Sequence, residues 1–451
     1  MKRGLALLMA IAMMGSTIVG CSSDSGSSTA SGSGTEGSSS ASGETSSAPA
    51  AGETTELSYW TSNELHTAMY EFGETQYNEK NEDQVKLNAE IYPNAEMHNK
   101  LLIAIQSGVG APDIADINII YFANFVKGDI QLVDLTDIVE PVLPNAVQSR
   151  FDLYAKDGKY YGLPTHVGAT VVYYNKEITD AAGVDIDAIE TWDQYREAGK
   201  KVKEATGKPM TIFEVSNQRP FWPMIVQRGG DYLNADGSVA LDSETNIEVL
   251  EYMQSMMFED GIVEDCPGGD TSKEEFWTYM NGGGCASLIM PAWYMSRFLN
   301  YMPDLEGKIY IRPMPVFEEG EPRTVGIGGT ATSITTQCKN IDVAKKVITE
   351  AKLTEEANIN IWTALQFDPV RTDVWDAEEL TAPIEYFGNE SVFTTLLPYA
   401  DNIPSPVNAD LSSAAQDLVN STVMYKIFIE QSATPEEALK DAAEELRATA
   451  V

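Results

Sequence analysis

Cys21 carries the most specific chemistry readable in this chain. Lys2 and Arg3 precede an apolar run from Leu5 to Met14, and Ile18-Val19-Gly20 leads directly into the cysteine. This order of positive start, apolar stretch, small residues and cysteine reads as a lipoprotein signal peptide over residues 1–20, with the Cys21 thiol as the acceptor of a diacylglyceryl group. The apolar run falls short of the ~20 residues a permanent span needs. Two acyl chains hold a protein at a membrane where one does not. The mature chain is therefore expected on the extracytoplasmic face of the cell membrane, anchored by lipid.

Other reactive patterns are scarce. The sequence has no Walker A loop, no GxGxxG following a strand, no GxSxG elbow and no HExxH, which lowers each of the corresponding enzyme classes. His66, His98 and His166 are its only histidines and stand far apart, so a histidine-rich zinc site is not expected. Asn234-Ala235-Asp236-Gly237 has too few ligands for a calcium loop and reads as a hairpin turn. We expect no cofactor, no metal and no catalytic residues. Carboxylates are numerous enough to conceal a glycosidase pair, so a surface glycoside hydrolase stands as the alternative from another class.

What the chain offers instead is aromatic residues at element ends, among them Trp60, Tyr121, Tyr173, Trp222, Trp293 and Trp362. In doubly wound sheets ligands bind beyond the carboxyl ends of the strands. An aromatic face there suits a neutral polar ring, with neighbouring Asn, Asp, Glu and Arg bonding its hydroxyls.

The elements that would position such a site alternate. A strand at Glu56–Thr61 precedes a helix with Leu65, Met69 and Phe72 on one face, and Thr61 with Glu64 matches a capping box. A second strand, Val85–Ile91, leads to a helix over His98–Gln106, stopped by Gly108 and Gly110 before a strand begins near Ile114. Further helices are expected at Thr191–Val202, Asp342–Ala351 and from Thr434-Pro435 onward. Such alternation implies βαβ units and an α/β fold with parallel sheet.

Composition divides the chain. Residues 21–55 are nearly all Ser, Gly, Thr and Ala, which cannot bury enough apolar surface to offset their ordering entropy, so a disordered tether is expected. The remainder is long enough for two domains. With 30 basic and 68 acidic residues and a formal net charge of −38, the chain is a poor partner for nucleic acid or anionic substrates. Beyond Cys21 only Cys266, Cys285 and Cys338 remain. They allow one disulfide, with Cys266 and Cys285 the nearer pair, or three buried free thiols.

Several segments in order resemble one family: Tyr161-Gly162-Leu163-Pro164, Val171 to Tyr174 with Asn175-Lys176, Ala182-Gly183, Thr191-Trp192-Asp193, Phe221-Trp222-Pro223, Gly328-Gly329 and Glu436-Glu437-Ala438-Leu439. The run is similar to extracellular solute-binding proteins of sugar ABC transporters, the class that includes maltose-binding protein. The resemblance implies a two-lobe periplasmic-binding-protein-like α/β fold with three interlobe crossovers and a ligand cleft between the lobes, closed by hinge rotation. It places crossovers near Pro164–Gly168, Val325–Thr332 and Phe367–Thr372. Lobe 1 then comprises 56–165 and 330–368, and lobe 2 comprises 166–329 and 369–451.

The resemblance also implies site residues. Trp293 matches the family's sugar-stacking tryptophan. Glu64 sits where an acidic residue often meets sugar hydroxyls, and its competing role is the capping box. Trp60 faces cleft or core. His166 falls at the first crossover, on the cleft floor, and Gly329 at the second. Asp116, Asn118 and Tyr121 follow the third strand, where ligand contacts are presented. Arg219 and Trp222 line the second lobe, the arginine suited to paired hydroxyls or a carboxylate. Asp368 and Arg371 flank the third crossover. Ile403–Leu418 lacks the aromatic residue on which maltose-binding protein stacks a further ring, which speaks against maltodextrins. The implied partners are a mono- or oligosaccharide and the permease of an ABC transporter, with the protein a monomer. A receptor for a non-sugar solute such as a polyamine is the runner-up.

Overall fold

The computed structural model describes residues 54–449. Cys21, the signal peptide and nearly all of the expected tether lie outside the described residues.

Two sheets organise the chain. The first runs in the order Gln84–Ile91, Thr54–Thr61, Ile114–Asn118, Thr330–Ile334, Leu163–Pro164. Its first three strands are parallel, with Thr54 opposite Gln84 and Tyr59 opposite Ile114, while Thr330–Ile334 is antiparallel to both neighbours. The second sheet centres on Thr170–Asn175, flanked antiparallel by Ser287–Pro291 and Ile309–Pro313. Both central strands are buried along nearly their whole length, as expected for strands covered by helices on both faces.

Helices Thr67–Lys80, Ile341–Lys352 and Glu355–Leu365 pack together over the first sheet. Gly73 permits that approach, since a Cβ there would lie 2.7 Å from that of Ala351. On the second lobe, Trp192–Thr206, Glu244–Phe258 and Pro435–Thr449 enclose a core that includes Trp192, Tyr195, Val249 and Leu439. The capping box of Thr191 and Gln194 is formed. Thr434 and Glu437 cap the last helix reciprocally, Glu437 N–H donating to Thr434 Oγ1 at 3.2 Å and Thr434 N–H to Glu437 Oε2 at 3.0 Å. Asn234–Gly237 is a hairpin turn between Leu233 and Val239.

The box expected at Thr61 and Glu64 is replaced. Asn63 caps the turn Glu64–His66 through Leu65 N–H, because the Thr61 hydroxyl donates to Asp116 at 3.1 Å. The three cysteines are buried and unpaired. Cys285 Sγ lies against Met280 Sδ and Ser287 O, and burial pushes its thiol up to about 12.

The chain passes between the sheets at 165–169 and 325–329, and again beyond helix Glu355–Leu365 at 367–371. These crossings are bonded to one another. Val167 N–H donates to Asp368 O, Ile327 N–H to Gly168 O and Thr170 N–H to Val325 O, each at 2.9 Å. Beneath them Arg150, fully buried, donates from Nη1 to Gly326 O at 2.6 Å and from Nη2 to Gly328 O. A late stretch, 372–399, bridges both lobes: Trp362 Nε1 donates to Glu379 O at 3.1 Å and Tyr386 OH to Met302 O at 2.6 Å.

Candidate functional site

A cleft of about 560 Å³ opens between the lobes, floored by the crossings. On the first lobe, Ser62, Asn63 and His66 follow the strand Thr54–Thr61, Asn94 follows Gln84–Ile91 and Asn118 ends Ile114–Asn118. All therefore stand at the carboxyl ends of parallel strands, where an α/β sheet leaves loops free to meet a ligand.

Asp116 anchors this wall from below. Fully buried, it accepts from His66 Nδ1 at 2.8 Å, Tyr70 OH at 2.7 Å, Thr332 Oγ1 at 3.0 Å, Thr61 Oγ1 and Tyr59 OH. Burial alone would raise its pKa, but the His66 bond and the charge of Lys352 hold the carboxyl well below the usual range. Lys352, itself desolvated, is lowered to about 8. Asp116 thus orients His66, whose ring lines the cleft.

Four lining asparagines share a pattern. The Oδ1 atoms of Asn63, Asn118, Asn217 and Asn420 each accept a backbone N–H, from Leu65, Ile120, Arg219 and Gln218 respectively. Among the described residues their NH₂ groups have no protein partner and remain available as donors. Gln218 Nε2 donates to Gln416 Oε1 at 2.7 Å, and both side chains border the cleft.

Trp293 lines the second wall, in the turn Ala292–Tyr294 that follows strand Ser287–Pro291, and its Nε1 lies 3.9 Å from where a Gly328 Cβ would stand. Trp222 presents part of a ring otherwise buried, its Nε1 bonded to Asp231 Oδ1 at 2.9 Å and its face stacked on Tyr232. Asp231 also accepts from Val407 N–H at 2.6 Å, and burial raises it to about 6. Arg219 Nη1 reaches Glu214 at 2.8 Å and Asp270 at 3.0 Å. His166 and Gly329 lie on the floor, both ring nitrogens of the buried His166 without a partner. Burial, with the charge of Arg150 nearby, drives His166 toward its neutral form.

Of the residues expected from the sequence, the structure brings Trp293, His166, Asn118, Arg219, Trp222 and Gly329 to this cleft. The others lie elsewhere. Glu64 is exposed on the turn outside the lining. Trp60 is buried against Tyr92 under Lys100, with Nε1 on Glu90. Tyr121 stacks on His98 at 4.3 Å, behind the wall. Asp116 supports the site without facing it. Asp368 is buried in the crossing, accepting from Ala169 N–H at 2.7 Å, and burial raises it to about 7. Arg371 is bound at the surface by Asp373 and Glu355.

Sequence reasoning missed His66, Asn94, Asn217, Gln416, Asn420 and Arg297, all of which line the cleft. Arg297 had a usable signal, standing one helical turn beyond Trp293. Asn420 had none: it sits in a π-helical turn, Val419–Val423, whose register departs from helical periodicity.

The bacterial extracellular solute-binding protein family matches residues 60–357. An arabinooligosaccharide-binding protein of Halalkalibacterium halodurans is 46% identical over 398 residues, covering 87% of this chain and 89% of that one. Its namesake in Bacillus subtilis is 44% identical over 404 residues, covering 88% and 93%. Among solved structures, an ABC transporter associated binding protein from B. animalis subsp. lactis in complex with beta-1,6-galactobiose superposes with a TM-score of 0.71, at 22% identity, over 87% of this chain and 97% of that one. No helix among the described residues is long and apolar enough to cross a membrane. Since the matched region includes the strand ends that build both walls of the cleft, and relatives of this identity align along most of their length, the chain belongs to the bacterial extracellular solute-binding protein family.

Proposed function

We propose that this protein is an extracytoplasmic receptor that binds an arabino-oligosaccharide in the interlobe cleft and delivers it unaltered to an ABC permease, acting as a monomer tethered through lipid on Cys21. The observation that carries the reading is the cleft's make-up: unpaired carboxamide donors beside Trp293 and the oriented ring of His66. Such a lining matches a polyhydroxylated ring with one apolar face. The names of the two most identical relatives point to arabinose polymers among the sugars.

A polyamine fits poorly. Among the described residues the only lining carboxylate is Asp270, already held by Arg219, and Arg297 adds a second cation. Glycoside hydrolysis would require two carboxyls facing the scissile bond, whereas the described lining offers one.

Calorimetry and thermal shift against arabino-oligosaccharides of increasing length, maltodextrins and polyamines test the proposal. A ligand that binds only the folded state stabilises it by about 2.7 kcal/mol at a hundred times its Kd. A shift with arabino-oligosaccharides and none with the others is expected. A shift with polyamines alone, or release of reducing ends during incubation, would replace the reading.

A further inference from the structure

Arg297 stands apart from the other arginines of the described residues. Arg219, Arg228, Arg312, Arg371 and Arg447 are each paired with at least one carboxylate. Arg150 and Arg323 have no carboxylate partner among the described residues but bond backbone carbonyls. Arg297 lines the cleft with no carboxylate partner, and its sole hydrogen bond among the described residues runs from Nη1 to Ser296 Oγ at 3.2 Å. The charges of Glu214 and Asp270 are directed onto Arg219, so they do not serve Arg297. Arg297 is half-buried, and a partly desolvated guanidinium without a counter-charge gains from a ligand that supplies one.

The rest of the lining agrees. The Oδ1 atoms of Asn63, Asn118, Asn217 and Asn420 each hold one backbone N–H, and their NH₂ groups are free to donate to a ligand. Among the described residues the cleft thus adds these amide donors to Arg219 and Arg297 and offers one carboxylate, Asp270, which Arg219 holds. A carboxylate accepts only, and an arginine fork bonds it through two parallel N–H groups. The net charge of −38 pointed away from anionic ligands, but that charge belongs to the surface as a whole.

We infer that the cleft selects the acidic members of its substrate class, oligosaccharides carrying a uronic-acid carboxylate that Arg297 receives beside the ring held at Trp293. This rests on the sugar-receptor reading above. Arg297 is then a specificity-determining residue.

The test compares three probes by calorimetry at low and high salt: a neutral arabino-oligosaccharide, the same chain bearing one glucuronic acid residue, and the methyl ester of that acid. The free acid is expected to bind about tenfold or more tightly than its ester, with the preference shrinking as salt rises. In Arg297→Gln the acid-to-ester ratio collapses toward one, and Arg297→Lys, which keeps the charge but not the fork, retains part of it. The thermal transition of each unliganded variant establishes that it is folded. Equal binding of acid and ester by the unaltered protein, or a preference that survives Arg297→Gln, overturns the inference. Binding of the neutral chain without any acid preference removes this inference alone; silence toward all three probes removes the sugar-receptor reading with it.

Discussion

The Nδ1 proton of His66 is held by Asp116 Oδ2 at 2.8 Å, and four further hydroxyls close on the same carboxylate. Such a bond fixes the tautomer and the ring plane together, leaving Nε2 as the remaining polar atom of the ring.

Asp116→Asn leaves this network short of a charge and of one acceptor. A loss of roughly 3–5 kcal/mol is expected in chemical denaturation, the range for removing one partner of a buried ionic network. The carboxyl is held below its ordinary range, so its contribution is present above about pH 4 and lost as pH falls. The acid limb of stability against pH should accordingly be shallower in the variant than in the unaltered protein. Equal slopes would show that Asp116 does not drive acid unfolding.

Asp368 has the opposite sign. Burial in the crossing raises it to about 7, so between about pH 4 and 7 the folded chain retains a proton that the unfolded chain releases. Its favourable share is complete below pH 4 and declines through 7. Asp368→Asn, which still offers an oxygen to Ala169 N–H, should flatten the fall in Tm over that window. A parallel pair of curves would count against it.

Trp293 is half-buried beside the glycines of the floor. Trp293→Ala should weaken sugar binding by more than about tenfold, a loss of about 1.4 kcal/mol, while moving the thermal transition little. Calorimetry and differential scanning on the same preparation separate the two effects.

Gly168 has φ +71°, and a Cβ there would lie 2.4 Å from Ile327 O. Gly168→Ala should cost about 1–3 kcal/mol or more, because backbone strain and a clash with a bonded carbonyl act together. Gly183→Ala, with positive φ but open space around it, should cost less. Denaturant midpoints of the two variants order them.

The three parallel strands of the first sheet were legible, whereas the antiparallel pairing of Thr330–Ile334 and of the second sheet was not. Turn residues such as Gly108 and Gly110 mark where the strand Ile114–Asn118 can begin, and capped helices such as Trp192–Thr206 announce their first residue. Trp293 and Arg219 were readable through the family's order of motifs. Trp60 and Asp116 show where reading stopped: strand alternation assigns a face, and both faces of this sheet are covered. Which carboxylate meets a ligand and which props a histidine depends on hydroxyls from Tyr59, Tyr70 and Thr332, brought from distant parts of the chain. Lining residues on late helices, Gln416 and Asn420, belong to a segment whose docking onto the first lobe no local pattern encodes.

Arg150 sits where the crossing carbonyls of Gly326 and Gly328 converge on one guanidinium from the first lobe. Mechanically, that group is an axle. In a hinge rotation about these crossings the points close to the axis travel least, and His166 and Gly329 lie beside it. An arriving sugar can therefore seat itself on a stationary platform first. Gln416 and Asn420, each bonded to Gln218, border the same cleft from its walls, so they are the groups that can close over a ligand already in that seat.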